Sequence, residues 1–435
     1  MSSAAASEGQ PFQLFKRSGS SRWWVRFSIK GQGQIRLSLG TDDEAEARRK
    51  AQEQWFEANY RAKQGISAIG KTFEQVAEEF VEQIEREAER GERRREQVSA
   101  FSAIVRRYFI PYFGSRPIDS IGDKDVNRYL EWRKDYWTKG PGKDIQFIEY
   151  QRGGKTLRRS VKDMRRLASP SSQRSEAVVL RQLFRQAARW GHIKQQSIPE
   201  VSSPKVPPSP RPSFDLEEFE HLQKISLQRL AAPDVNGHVR RDRTILHAYI
   251  TIAAFTGMRP TELHNLNWGD IRGYRTGRHL PIGKRDIRIR ARGKGKHREF
   301  IPLEGALPWF DVLWDLWEQA RRNDPDADAP EKVFEPSDED PVLASETGKR
   351  LGTFRKGLTE LLKAANLLMD HRGKRRESYS FRHFHISQQL MNGVDVFVLA
   401  KNTGTSPKMI DDFYGQVRLE LMKDHLRPEW RSRQP

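Results

Sequence analysis

The chain has 435 residues, 77 Lys+Arg against 58 Asp+Glu, a formal net charge of +19, and no cysteine. That length exceeds one ordinary core and implies two or three domains. The missing cysteines exclude disulfides, thiol catalysis and Cys-ligated zinc, and the positive excess favours nucleic acid as partner over an acidic membrane surface.

Met1–Ser7 carries neither a basic nor an apolar signal region, and no run of about 18 apolar residues occurs. The sequence therefore predicts a soluble protein of the cytoplasm with no membrane partner. Residues 1–11 read as a disordered polar lead. Trp23–Ile29 then alternates with period two, Lys30–Gln34 supplies a turn, and Ile35–Leu39 alternates again, which predicts a hairpin. Thr41-Asp42-Asp43-Glu44 fits a capping box opening a helix to about Gln64. Residues 12–64 thus form a small sheet-plus-helix module. Its Arg22, Arg26, Lys30 and Arg36 are placed either to enter a DNA groove or to form a solvated basic face.

A second capping box, Thr72-Phe73-Glu74-Gln75, precedes Phe73, Val76, Phe80 and Ile84 on one helical face. Gly91 and the following charge run end that helix. Val98, Phe101, Val105 and Tyr108 mark another, stopped by Pro111 and Gly114, and Asp123 caps a third that carries Val126, Tyr129 and Leu130. Residues 138–168, rich in Gly, Lys and Arg, read as an exposed basic insertion. Ser171 opens a helix through Trp190 with Gly191 as its stop. Residues 72–196 are predicted to be an all-α domain whose aromatic stripe is core. The Pro-rich stretch 197–213 is an extended linker, and a domain over 214–425 begins at Asp215, leaving 426–435 as a tail. The fold class is multidomain and mainly α with small β-sheets.

In the last domain, an apolar helix end, Tyr249–Phe255, runs into Thr256-Gly257-Met258-Arg259-Pro260-Thr261-Glu262-Leu263. Gly257 suits a left-handed helix stop and Pro260 the first turn of the next helix, so Arg259 stands at a positive helix start. It is placed either to hold an anion or simply to pair with Glu262. From Arg272 to Arg298 there are eleven Lys/Arg and one carboxylate, Asp286. Within that run Arg288, Arg290 and Arg292 alternate along a strand, and a turn at Gly293-Lys294-Gly295-Lys296 leads past Arg298 into Glu299–Leu303. Arg288, Arg290, Arg292, Lys296 and Arg298 are candidates for DNA-backbone contact. Tyr379-Ser380-Phe381-Arg382-His383-Phe384-His385 opens another helix, where Arg382 offers a second planar fork for phosphate oxygens. Ser406-Pro407 opens a helix with Met409, Ile410 and Phe413 on its apolar side and Tyr414 near its end.

In this order the motifs resemble the tyrosine recombinase (phage integrase) family. Arg259-Pro260-Thr261-Glu262-Leu263 matches its Arg-x-x-Glu-Leu box, Lys294 its hairpin lysine eight residues before Pro302, Arg382 its second arginine, and Tyr414 its nucleophile. Two positions depart: Tyr379 stands where the family has the first His of its His-x-x-Arg box, and Thr405, nine residues before Tyr414, where it has His or Trp. Both substitutes still donate through a hydroxyl.

The resemblance implies an α-helical core-binding domain at 72–196, an arm-type DNA-binding module at 12–64, and a mixed α+β catalytic domain. It also implies a site-specific recombinase that integrates or excises a phage or mobile element through a 3′-phosphotyrosyl link. In that chemistry Arg259 and Arg382 hold the phosphate, Lys294 is the general acid, Glu262 orients Arg259, and Tyr379 and Thr405 donate to the phosphate. No metal or other cofactor is implied. The expected partners are double-stranded DNA attachment sites and three further copies in a tetramer, with accessory DNA-bending proteins left open and the bacterial nucleoid as location. A catalytically silent DNA-binding protein and a type IB topoisomerase are the alternatives.

Overall fold

The computed structural model describes residues 11–152, 154–205, 211–233, 235–293, 296–322 and 335–412. The chain divides into two compact units, Met1–Pro207 and Pro208–Pro435.

The first unit opens with an antiparallel meander of β1 (Gln13–Lys16), β2 (Trp23–Ile29) and β3 (Gly33–Ser38). The β2–β3 hairpin follows the alternation, with Val25, Phe27, Ile29 and Ile35 buried. Strand β1 was not anticipated, because four residues are too few to display a period. Helix α1 (Glu44–Lys63) lays Ala47, Ala51 and Ala58 on the sheet. Its cap is Asp43, whose carboxylate accepts from Glu46 N at 2.6 Å, while Thr41 bonds the Glu46 side chain instead.

Helix α2 (Phe73–Glu89) carries the full Thr72/Gln75 capping box and buries Phe73, Val76, Phe80 and Ile84. Helix α3 (Arg95–Ile104) runs through a π-turn at Val105–Phe109 into α4 (Ile110–Phe113). Pro111 explains the widened turn: it has no N–H for the ladder, and its ring needs room against the preceding turn. Asp123 is the first residue of α5 (Asp123–Lys134), not its cap. Its carboxylate accepts instead from Glu200 N at 2.7 Å. The basic insertion holds a two-stranded ribbon, β4 (Phe147–Arg152) and β5 (Lys155–Ser160), that the sequence did not reveal. Helix α6 (Pro170–Arg189) starts two residues before the predicted point because Ser169 is its cap. As predicted, the aromatic stripe is core: Phe73, Phe109, Phe113, Tyr129 and Phe184 are almost wholly buried.

In the second unit Asp215 caps α7 (Leu216–Ala231). Helix α8 (Gly237–Thr256) is buried nearly all round over its last three turns. Short α9 (Pro260–His264), β6 (Ile271–Arg272), α10 (Tyr274–Gly277), β7 (Arg288–Gly293) and β8 (Lys296–Phe300) follow, the strands forming one antiparallel sheet in the order β6-β7-β8. Helices α11 (Leu307–Arg322), α12 (Arg355–Ala364), α13 (Tyr379–Met391) and α14 (Val396–Thr403) complete the described elements, with a further helix from 407 described to 412. In that helix Ile410 is buried, but Met409, expected on the apolar side, is 45% exposed. The core of the unit is built on α8, with Trp268, Tyr274, Phe310, Trp314 and Phe381 packed around it.

Candidate functional site

The site begins where α8 stops. Gly257 has φ +61°, and its N–H still bonds Ala253 O at 3.1 Å. Glycine is required twice over: the left-handed backbone favours it, and a Cβ would lie 2.5 Å from His385 Cδ2 on α13. Two residues later Arg259 is extended, and Glu262 Oε2 accepts from its backbone N–H at 3.0 Å. The reversal turns the Arg259 side chain towards Glu262.

Glu262, only 3% exposed, is the hub. Its Oε1 accepts from Arg259 Nη1 at 2.6 Å and Arg298 Nη1 at 2.8 Å, and its Oε2 accepts from Arg298 Nη2 at 3.0 Å. Burial pushes this carboxyl up, but the hydrogen bonds and charge of Arg298 and Arg259 overcome that and hold it below the usual range. Arg259 Nη2 also donates to Gly404 O, and Arg298 Nε donates to Asn402 O at 3.1 Å. Asn402 in turn clasps the backbone of Ile301, accepting at 3.1 Å and donating at 3.3 Å. The ends of α14 and β8 are thereby tied to the start of α9, and Thr405, which follows Gly404, is carried beside Arg259.

Arg382 reaches the same junction from α13, donating through Nη1 to Gly257 O at 2.6 Å. It is 3% exposed. Burial and the nearby Arg259 charge lower its guanidinium to about 10, opposed by Tyr379 and Glu262. It therefore stays cationic at neutral pH. Arg259, Arg298 and Arg382 together set three guanidinium groups against one carboxylate, an excess of positive charge that an anion would neutralise. Tyr379 opens α13, half-buried, with its ring 5.2 Å from that of His383. His383 and His385 are both buried, and burial brings each imidazole down to about 4. His385 faces Ala254 O through Nδ1 at 2.9 Å, a packing role against the α8 end.

The sequence-predicted residues Arg259, Glu262 and Arg382 thus converge, with Thr405 and Tyr379 at the edges. Lys294 and Tyr414 lie outside the described residues, as does the side chain of Lys296. Arg298, predicted on the DNA-facing side of the hairpin, has its guanidinium taken up by Glu262 and Asn402. Its parity gave the clue: Arg298 pairs with Ala291 and stands two residues before Phe300, both buried, whereas Arg290 and Arg292 lie on the opposite face. Those two are held by buried Asp270, Arg290 Nε at 3.2 Å and Arg292 Nε at 2.9 Å, and Arg288 lies 3.6 Å from Asp286. In the first unit Arg26 and Arg36 stand directly opposite across β2–β3, each bonded to a glutamine, Gln13 at 2.8 Å and Gln34 at 3.0 Å.

Among the described residues no group of His, Asp or Glu is arranged to hold a metal ion, and no helix is long and apolar enough to cross a membrane. No protein-family model matches the chain, and no curated protein matches it. Solved structures do. The XerH site-specific recombinase bound to palindromic difH substrate, a post-cleavage complex, is similar at 15% identity over 86% of this chain and 88% of that one, with a TM-score of 0.50. A lambda integrase dimer bound to a COC′ core site is similar at 14% identity over 93% and 94%, with a TM-score of 0.51. At these identities the likeness establishes the fold.

Proposed function

Starting from a chain with the tyrosine-recombinase fold, we propose that this protein is a site-specific DNA recombinase that cuts and rejoins duplex DNA through Tyr414. The observation that carries the reading is the gathering of Arg259, Arg298 and Arg382 at one junction, the first two bonded to the single buried carboxylate of Glu262 and the third to Gly257 O. A tetrahedral phosphate carries its charge on two non-bridging oxygens, and paired guanidinium forks match them. Phosphoryl transfer needs positioning and charge stabilisation above all, and a preformed cationic pocket supplies both.

In the proposed reaction Tyr414 Oη attacks the scissile phosphorus and gives up its proton to solvent water. An O–P bond to the enzyme forms as the bond from phosphorus to the 5′-oxygen breaks. Lys294 protonates the departing 5′-oxygen. Arg259 and Arg382 hold the non-bridging oxygens, while Glu262 fixes the plane of Arg259. Tyr379 and Thr405 donate their hydroxyls at the rim. The 5′-hydroxyl of a partner strand then reverses the step on the phosphotyrosine, so the bond energy is conserved and no nucleotide is consumed. Four copies working on two attachment sites, to integrate or excise an element, belong to the same proposal.

Tyr379 and Thr405 standing in for imidazole or indole donors support a second reading, DNA binding without cleavage. One assay separates the two. The protein is incubated with pooled fragments of its source genome, beside Tyr414→Phe, and denatured with SDS. A covalent DNA adduct that Tyr414→Phe abolishes supports cleavage. Selective, salt-sensitive binding with no adduct supports the silent reading. Relaxation of arbitrary supercoiled plasmids by substoichiometric protein would instead indicate a topoisomerase.

A further inference from the structure

The β4–β5 ribbon is not used by the chemistry above. It lies in the stretch 138–168, which carries nine Lys/Arg and three carboxylates. Its base is firmly built. Val161 is 1% exposed and bonds Gln146 O at 3.1 Å, Ile145 and Ile148 pack on the α-helical core, and Ala168 N bonds Lys134 O at 3.1 Å. Gly142 fits so closely under the Tyr136 ring that a Cβ would lie 2.5 Å from it. The strands, by contrast, stand in solvent: every residue of β5 is exposed, and among the described residues no third strand pairs with either edge.

The charges on this ribbon are unbalanced. Arg158 pairs with Glu149 at 2.9 Å. Lys155 and Arg159 on β5, and Lys162, Arg165 and Arg166 just beyond its end, are exposed and have no ion pair among the described residues. Lys155 and Arg159 lie four residues apart on one strand and therefore share a face. A rigid stalk bearing unpaired cations on a narrow two-stranded ribbon suits a polyanion, and a ribbon of this width enters the major groove of duplex DNA.

We propose that the β4–β5 ribbon is a separate DNA-gripping arm of the α-helical domain, holding the sugar-phosphate backbone through Lys155, Arg159 and Lys162. It contributes affinity without base recognition, since cations on phosphates position a protein and carry no sequence information. The inference rests on the DNA-acting reading of the chain and adds to it a contact element.

The test is the salt dependence of binding by the full chain to a mixed-sequence duplex several helical turns long. The variant Lys155→Ala/Arg159→Ala/Lys162→Ala changes exposed side chains only. Loss of three phosphate contacts lowers the slope of log affinity against log salt by about 2 to 3 and weakens binding at low salt by tenfold or more. The charge-keeping variant Lys155→Arg/Arg159→Lys/Lys162→Arg retains the wild-type slope. Removing three exposed cations from α12 instead, Arg355, Lys356 and Lys363, leaves most of the slope in place. An equal slope in wild type and the triple-alanine variant overturns the arm while leaving DNA binding intact, as does an equal loss from the α12 variant. An unchanged slope with lost self-association assigns the ribbon to a second copy and also overturns it. Absence of salt-dependent duplex binding by the wild type overturns both the arm and the recombinase reading.

Discussion

Arg298 and Glu262 face each other as a bidentate pair, at 2.8 Å and 3.0 Å, although they are 36 residues apart in the chain. The pair makes Glu262 a shared anchor for two arginines, so the aim of Arg259 depends on a residue two segments away. Arg298→Ala would leave a buried carboxylate half-compensated and cost about 3 kcal/mol of stability. Cleavage should slow as well, with Arg298→Lys restoring stability better than activity because an ammonium cannot make the two-pronged bond. Thermal melting and adduct formation measured on both variants check this. Equal activity in Arg298→Ala and wild type would refute the positioning role.

Glu262 also predicts an acid-sensitive site. Its carboxyl sits below the ordinary value of 4.5 in the folded chain. The stabilisation is therefore complete above about pH 4.5 and is lost as pH falls through the folded value. In Glu262→Gln the low-pH part of the stability curve should flatten, while the protein is weaker throughout. Chemical denaturation between neutral pH and pH 3.5 reads this directly.

The buried histidines act higher on the pH scale. His247, His383 and His385 are each lowered from 6.5 to about 4 by burial. Between those values the unfolded chain binds protons that the folded chain does not, so stability is full above pH 6.5 and falls on acidification, by up to about 1.4 kcal/mol per pH unit for each group. His385→Phe should remove part of that slope. The rate of adduct formation, in turn, should show no imidazole limb between pH 6 and 8, because His383 and His385 stay neutral there. A limb near 6.5 that disappears in His383→Phe would assign that residue to catalysis.

Gly257→Ala combines a left-handed backbone with a Cβ 2.5 Å from His385. The expected loss is about 2–4 kcal/mol, with Arg382 displaced from Gly257 O and cleavage reduced. Gly91→Ala is the comparison: it has the same kind of backbone, φ +76°, but nothing within 4 Å of the added methyl, and should lose only the backbone part. Similar melting points for the two variants would show that the His385 contact does not matter.

In the α-helical domain Arg133 donates to Glu176 at 2.7 Å, both nearly buried, with Tyr129 Oη donating to the same carboxylate at 3.4 Å. Burial raises Glu176 despite its arginine. Arg133→Met alone should cost about 3–5 kcal/mol by stranding the acid, whereas Arg133→Met/Glu176→Leu should recover most of it. Calorimetry of the single and double variants decides the point.

Sequence alone determined the elements whose signals are local. The cap at Thr72, the Gly257 stop before Pro260, the β2–β3 alternation and the buried aromatic stripe all rest on neighbours within a turn or two, where spacing dictates geometry. It also placed Arg259 next to Glu262, since three residues of helix bring them together. Tertiary structure decided what distance in the chain concealed. β1 and the β4–β5 ribbon are too short or too polar to show a period, and become strands only through their partners. Arg298 carried the charge of a DNA contact, but its register opposite Ala291 turned it inward to Glu262. Gly404 O and Asn402 O, backbone groups that no side-chain pattern can announce, fix the two arginines because α14 ends against β8. Local propensity selects a segment's shape; which buried charge meets which is settled only when packing excludes water and limits each polar group to the few partners within reach.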